Sequence, residues 1–351
     1  MQQKKLSLFI AAGSGKSTKK IKVNGKEVDK AYLELEGKTS LEHVISAALN
    51  AEHIRDIYIW GDLRKLSKIQ KKYSTKKDIV IVPQKRALVD SIYETFMSYY
   101  LPLQAQLPQF EGYVQVWSDV KKYIQQNGGC IEEAICISAS DIPLVKSEDY
   151  DNMINDFFNR NIDFLIGAGK KQEMVDAMHS VGIDFDNSAL KKLYKCYALG
   201  KDEYRLNNIF IFKPLKLSLN IIRLIQQVYN HRYMYKFFNV VDIGFKMMFG
   251  AVKETIQHPS MLYYIPDILL KYVMINLAKT PWVKKYFPTV YEFSKNRSDI
   301  SAIEKTASSV LRGKLSIFTN GSYRTIMDID EQESYDFFRK EGYFAKLKGL
   351  K

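Results

Sequence analysis

Cysteine is nearly absent. Cys130, Cys136 and Cys196 are the only three in 351 residues, and no two have the spacing of a metal-ligand pair. That excludes a disulfide framework and suits a reducing, cytoplasmic compartment. Histidine is equally sparse, with five scattered residues and no H-E-x-x-H element, which excludes the common zinc-hydrolase pattern. There is no G-x-S-x-G nucleophile elbow. No apolar run approaches the roughly 18 residues a membrane-crossing helix needs. The N-terminal Lys4-Lys5 and Leu6–Ala12 imitate a secretory signal, but the apolar run has seven residues and is followed by Lys16, Lys19, Lys20 and Lys22. A buried first strand is the better reading. Internal repeats and low-complexity linkers are also missing.

Acidic residues are short of balance. Fifty-two Lys and Arg face 39 Asp and Glu, a net charge of +13, with a net of +6 inside residues 1–30. Such a charge favours anionic partners: nucleotides, phosphorylated metabolites, nucleic acid or an acidic membrane surface. No RNP-like aromatic motif or helix-turn-helix is present, so no specific nucleic acid is expected.

The chain alternates short apolar runs with amphipathic segments. Leu6–Ala12, "IRDIYIWGD" (54–62), "DIVIVPQ" (78–84), "EAICISASDIP" (133–143), "IDFLIGAGK" (162–170) and "YRLNNIFIFKP" (204–214) read as strands. A helix capped by Ser40, another near 88–100 and a third over 147–158 fall between them. This pattern predicts an α/β fold, Rossmann-like, with a mostly parallel sheet. Residues 215–312 are helical in pattern and rich in Tyr, Phe, Lys and Met, which predicts an inserted helical lobe between an α/β domain of 1–214 and its return at 313–345. "KLSIFT" (314–319), "YRTIMDID" (323–330) and a last helix complete the chain. Ligands in such sheets bind past the carboxyl ends of strands, which draws attention to Gly13, Gln84 and Asp141.

Gly13-Ser14-Gly15-Lys16-Ser17 ends like a Walker A loop, G-x-x-x-x-G-K-[ST]. The first glycine position, however, is Ile10, inside the expected strand, and the remaining loop is too short to encircle a β-phosphate. The alternative is a glycine turn whose backbone approaches a nucleotide and whose N–H groups bind it, with lysines neutralising the phosphates.

The stretch "LFIAAGSGKS", followed by Lys30 and "LELEGKTSLEHVISAAL", resembles the opening of nucleotidyltransferases of the molybdenum-cofactor guanylyltransferase-like family. Ala11, Ala12, Gly13, Ser14 and Gly15 supply the turn, Lys30 the lysine, and Gly37-Lys38 with Leu41 the last element. Ser17 stands where that family has arginine and Asp29 where it has proline. "ICISASDIPLV" (135–145) resembles the family's strand ending in a metal-binding aspartate, here Asp141. "IMDIDEQESYDFF" (326–338) resembles the element that brings a second acidic ligand, matched by Asp328 and Asp330. The resemblance implies a GT-A-like nucleotidyltransferase that moves an NMP group from an NTP to a phosphorylated small molecule such as a sugar or polyol phosphate.

On that resemblance, Mg²⁺ is the cofactor, held by Asp141 with Asp328 or Asp330. Lys16 and Lys30 steady the phosphates, Gln84 and Ser91 read the base, and Arg205, Asn207 and Asn208 contact the acceptor. Asp328 and Asp330 are expected just past a strand, at the same sheet edge as Asp141. Two other readings stay open: a P-loop kinase or NTPase, and an inactive basic scaffold touching membrane or nucleic acid. For the scaffold, Tyr263-Tyr264, "ILLKYVMINLA", Trp282 and Tyr286 with nearby lysines would make an interfacial helix.

Overall fold

The computed structural model describes residues 4–13, 20–73, 76–85, 87–104, 113–126, 132–185, 190–194, 196–199, 201–230, 285–286, 288–289 and 300–350. Its twelve described strands are β1 (Leu6–Ala12), β2 (Lys20–Val23), β3 (Lys26–Asp29), β4 (Glu34–Leu35), β5 (Lys38–Thr39), β6 (Ile54–Gly61), β7 (Ile79–Pro83), β8 (Ile135–Ala139), β9 (Phe164–Lys170), β10 (Tyr197–Leu199), β11 (Asp202–Phe212) and β12 (Leu315–Gly321). The main sheet runs β12-β9-β11-β8-β1-β6-β7, with β10 attached to β11. β1 is parallel to β6 and β8, β7 to β6, and β12 to β9, whereas β11 is antiparallel to both its neighbours. The sheet is therefore mostly parallel and α/β, as the alternation of apolar runs and amphipathic segments predicts.

Both faces of the central β1 strand are covered, which is why it is apolar at nearly every position. Leu6, Leu8, Ile10 and Ala12 of β1 face a core shared with the helices Ser40–Asn50 and Ser147–Arg160. Phe9 turns the other way, into a core with Tyr58, Trp60, Phe96, Tyr100 and Trp117. Ile10 is fully buried in β1, paired with Ile59 on one side and Ser138 on the other. A strand residue so placed cannot act as the first glycine of a phosphate-wrapping loop.

Three features differ from the sequence reading. Residues 20–39, to which the sequence patterns assign no strand, form the hairpins β2-β3 and β4-β5 with a short helical turn, Lys30–Tyr32, between them. The Ser40–Asn50 helix is capped by Thr39, not Ser40: Glu42 N–H donates to Thr39 Oγ1 at 3.2 Å and Thr39 N–H donates to Glu42 Oε2 at 2.8 Å, a reciprocal capping box. The ends of the 215–312 stretch belong to the α/β unit. Leu217, Ile221 and Ile222 join the second core, and Ile300, Ala307 and Leu311 pack against it. The proposed lobe itself, with Tyr263 to Trp282, lies outside the described residues.

A third apolar cluster is separate from these two cores. Ile21, Leu33 and Leu35 from the hairpins meet Leu144, Tyr194, Met327, Ile329, Phe338, Phe344 and Leu347 there. His43 lies against this cluster. Its Nε2 donates to Leu35 O at 2.9 Å and its ring is 4.8 Å from that of Phe344. Burial, with Lys348 and Lys38 nearby, pulls the His43 pKa down to about 4 although the Leu35 contact opposes it.

The folded state therefore binds fewer protons at His43 than the unfolded chain does. The stability this group contributes is present near neutrality and is lost as pH falls from about 6.5 towards 4. Asp328, whose pKa is raised to about 6, acts in the opposite direction over the same window. A difference measurement separates them. Across pH 7 to 4 the urea stability of His43→Gln is expected to gain on the wild type by up to about 3 kcal/mol. A pH-independent difference between the two proteins would refute this assignment.

Candidate active site

The carboxyl ends of β1, β6, β7 and β8, with the amino end of antiparallel β11, share one edge of the sheet. Gly13, Gln84 and Asp141 follow β1, β7 and β8 there. A Cβ on Gly13 would stand 3.2 Å from Gln84 Nε2, so the Gln84 side chain lies close over the Gly13 backbone. Ser140 Oγ donates to Ala11 O at 2.7 Å, and Ser40 Oγ donates to Ser140 O at 2.8 Å. These two bonds tie the turn before Asp141 to the end of β1 and to the start of the Ser40–Asn50 helix. Ser14, Gly15 and Lys16 lie outside the described residues.

Lys30, Asp141 and Asp330 converge although up to 300 positions separate them in sequence. Lys30 Nζ donates to Asp141 Oδ2 at 2.6 Å and to Asp330 Oδ1 at 2.7 Å. Burial alone would lower the Lys30 pKa, but the two carboxylates outweigh it and hold the ammonium protonated above the ordinary lysine range.

Asp328 has other partners. Arg205 Nη2 donates to its Oδ1 at 2.8 Å and Asn208 Nδ2 to its Oδ2 at 2.9 Å, while Tyr194 OH donates to its backbone carbonyl at 3.1 Å. Burial pushes the Asp328 carboxyl up to about 6 against the pull of Arg205, and Asp330 and Asp141 add to the rise.

The route by which Asp328 and Asp330 arrive is not the expected one. After β12 the chain makes a helical turn, Tyr323–Ile326, and then runs outside the sheet without regular secondary structure. β9 and β11 separate β12 from β8, so strand adjacency does not bring the two acidic segments together. The 327–330 segment reaches Asp141 directly, and Ile329 N–H donates to Asp141 O at 2.9 Å. Its alternation explains the rest. Met327 and Ile329 are buried in the third apolar cluster, while Asp328 and Asp330 between and after them turn to Arg205, Asn208 and Lys30.

The expected acceptor residues separate in the same way. Between Leu206 and Phe210 the pairing of β11 with β9 shifts register. Arg205 and Asn208, three apart, would face opposite sides of a regular strand, yet the irregularity brings both to Asp328. Asn207 faces away and is buried, its Oδ1 accepting from Ile209 N–H at 3.0 Å. Its amide fills the space that a side chain on Gly167 would need. That placement corrects the expectation of an acceptor contact from Asn207. Ser91 is also buried, accepting from Lys85 N–H and donating to Ala87 O, both at 3.1 Å, so it fixes the turn after β7.

Of the three aspartates expected to bind a metal, only Asp141 and Asp330 point at one place. Among the described residues no group of three or more Asp, Glu, His or Cys is arranged to hold a metal ion. Two carboxylate oxygens within 2.7 Å of one ammonium nevertheless form a hard, anionic donor pair of the kind that suits Mg²⁺, which takes one or two carboxylates plus waters and substrate oxygens. Tyr194 carries no signal in the sequence. Nothing in "KLYKCY" marks it, since its position depends on the fold of 190–194.

No protein-family model and no curated protein matches this sequence. The fold has solved counterparts. A hypothetical transferase from Thermus thermophilus superposes with a TM-score of 0.51 at 12% identity, over 94% of this chain and 99% of that one. Looser likenesses include a 4-diphosphocytidyl-2C-methyl-D-erythritol synthase from Anaerococcus prevotii (TM-score 0.40, 14% identity, 95% and 94% coverage). Another is a CMP:2-keto-3-deoxy-manno-octonic acid synthetase in complex with CTP (0.34, 9%, 64% and 78%). At these identities the likeness is one of fold. Among the described residues no helix is long and apolar enough to cross a membrane.

Proposed function

We propose that the chain is a nucleotidyltransferase that moves an NMP group from an NTP onto a phosphorylated small molecule. The single observation that carries this reading is the meeting of Lys30, Asp141 and Asp330 beside the glycine turn that ends β1. Residues from both ends of the chain form a compact, charged edge where an α/β sheet binds its ligand. The burial of Ile10 within β1 disfavours the P-loop alternative.

In this reading an oxygen of the acceptor phosphate attacks the α-phosphorus in line. The bond from the α-phosphorus to the α–β bridging oxygen breaks, and pyrophosphate carries the electron pair away. No protein nucleophile is needed, so positioning and charge stabilisation dominate. Gly13 lets the triphosphate approach the backbone, and Gln84 borders the nucleotide. Lys30, with Lys16, supplies positive charge to the phosphates. Asp141 and Asp330 would hold Mg²⁺, which when bound neutralises phosphoryl oxygens. Arg205 and Asn208, anchored on Asp328, form the wall of the acceptor side. The cytoplasm is the proposed compartment, and peripheral membrane contact is not needed for the reaction.

The test is a screen of the four NTPs against sugar and polyol phosphates, following pyrophosphate. Release that depends on both substrates supports the reading. NDP with a phosphorylated acceptor instead would favour a kinase, NDP with inorganic phosphate an NTPase, and no turnover with any pair the scaffold.

A further inference from the structure

The cation at the centre of this site belongs to the chain itself. Lys30 Nζ makes charge-assisted hydrogen bonds of 2.6 and 2.7 Å to Asp141 and Asp330, and its side chain is only 17% exposed. The Asp328 carboxylate does not offer it a third partner, because Arg205 and Asn208 hold both of those oxygens. An ammonium at hydrogen-bond distance from both carboxylates engages the same donor pair that a divalent ion would need. The two cannot be present together.

We infer that Lys30 is a resident counter-ion that closes the Asp141–Asp330 cation site in the nucleotide-free protein, and that a triphosphate opens the site by drawing the ammonium away. The inference rests on the nucleotidyltransferase reading for its second half. Lysine has the chemistry for such an exchange, because its charge sits on a flexible four-carbon stem with three donors and no acceptor. Lys30 opens the short 30–32 turn, directly after the β2-β3 hairpin, so its stem leaves a fixed backbone while its head is free to exchange partners. A bare divalent ion must break two strong bonds and leave a half-buried ammonium without its anionic partners, which is costly. An ion arriving with a triphosphate brings that partner with it. Metal and nucleotide then enter together, and metal alone binds weakly.

Mn²⁺ serves as the probe, followed by electron paramagnetic resonance on the full chain. Nucleotide-free wild type is expected to bind Mn²⁺ at least tenfold more weakly than Lys30→Met or Lys30→Gln. Mn²⁺ should raise the melting temperature of both variants and leave that of the wild type unchanged. Adding Asp141→Asn to Lys30→Met should remove the gain. Unchanged Mn²⁺ affinity in the variants overturns the inference. Should neither variant fold, the wild type decides alone: a non-hydrolysable analogue of the accepted NTP must tighten Mn²⁺ at least tenfold, and no tightening overturns the inference. The two readings fail separately. Pyrophosphate release together with unchanged Mn²⁺ binding in the variants sinks only the counter-ion. A variant gain in a protein that releases no pyrophosphate sinks the transferase reading and the triphosphate half of the inference.

Discussion

Asp141→Asn is expected to lower pyrophosphate release by about 10²–10³ at saturating Mg²⁺ while leaving the fold in place. Asparagine is nearly isosteric with aspartate but neutral, so the turn after β8 keeps its shape, the bond from Ile329 N–H to the residue 141 carbonyl and the bond from Ser140 Oγ to Ala11 O. What disappears is one of two carboxylates aimed at a single cation. Loss of one charge-stabilising group in a preorganised site costs roughly 3–4 kcal/mol of transition-state stabilisation, which is that factor in rate. Asp330→Asn should act alike. Asp328→Asn should behave differently, because Asp328 serves Arg205 and Asn208 and would disturb acceptor binding first. The measurement is kcat and KM for both substrates in all three variants, with circular dichroism as the control. Near-normal turnover in Asp141→Asn would remove the proposed cation site.

The second large effect is on stability, at a place without chemistry. Arg324 follows the Ser322 cap of the 323–326 turn and is buried. Its Nε and Nη2 donate to the two oxygens of Asp149 at 3.1 and 2.9 Å, and Nη2 also donates to Glu148 at 2.6 Å. Asp149 is itself buried and accepts from Lys146 N–H at 2.8 Å. This ion pair joins the turn that leads into Asp328 to the helix that follows Asp141. Arg324→Met keeps most of the volume and strands the Asp149 charge. Breaking one side of a buried pair costs about 3–5 kcal/mol, and urea unfolding is expected to show a loss of that size. Asp149→Asn added to Arg324→Met should restore part of it, because the stranded charge is gone. A loss below about 1 kcal/mol in the single variant would show the pair to be solvated.

Much of this architecture can be read from residue patterns. Leu6–Ala12 announces a strand covered on both faces because nearly every position is apolar, and the strand ends where Gly13 begins. Asp141 is visible because a buried run stops just before it. The hairpins of 20–39 are less visible. Their strands have two to four residues, too short for a period to emerge from a lysine-rich background. The signal for Thr39 as the cap is local, the T-x-x-E spacing to Glu42. The division of labour among Arg205, Asn207 and Asn208 follows from an irregularity in β11, which alternation alone cannot reveal. Likewise, "MDID" reads as a strand end by its alternation, yet it borders an apolar cluster instead of a neighbouring strand. Arg324 and Asp149, 175 positions apart, carry no mutual mark in the sequence.

The third apolar cluster has a consequence for how the protein is made. It joins Ile21, Leu33 and Leu35 to Phe338, Phe344 and Leu347, and so clasps two segments some 300 positions apart. While a ribosome is still extending the chain, β1, β6, β7 and β8 can pair, since all precede residue 140. Lys30 must wait for Asp330, which closes a loop of 300 residues. Until then the basic hairpins lack the apolar surface they settle on and the acid from the far end that they hold. The nascent protein can acquire the β8-β1-β6-β7 part of its sheet early and its site only after residue 330, so a translation product abandoned before that point would carry part of the scaffold without the charged edge that makes it useful.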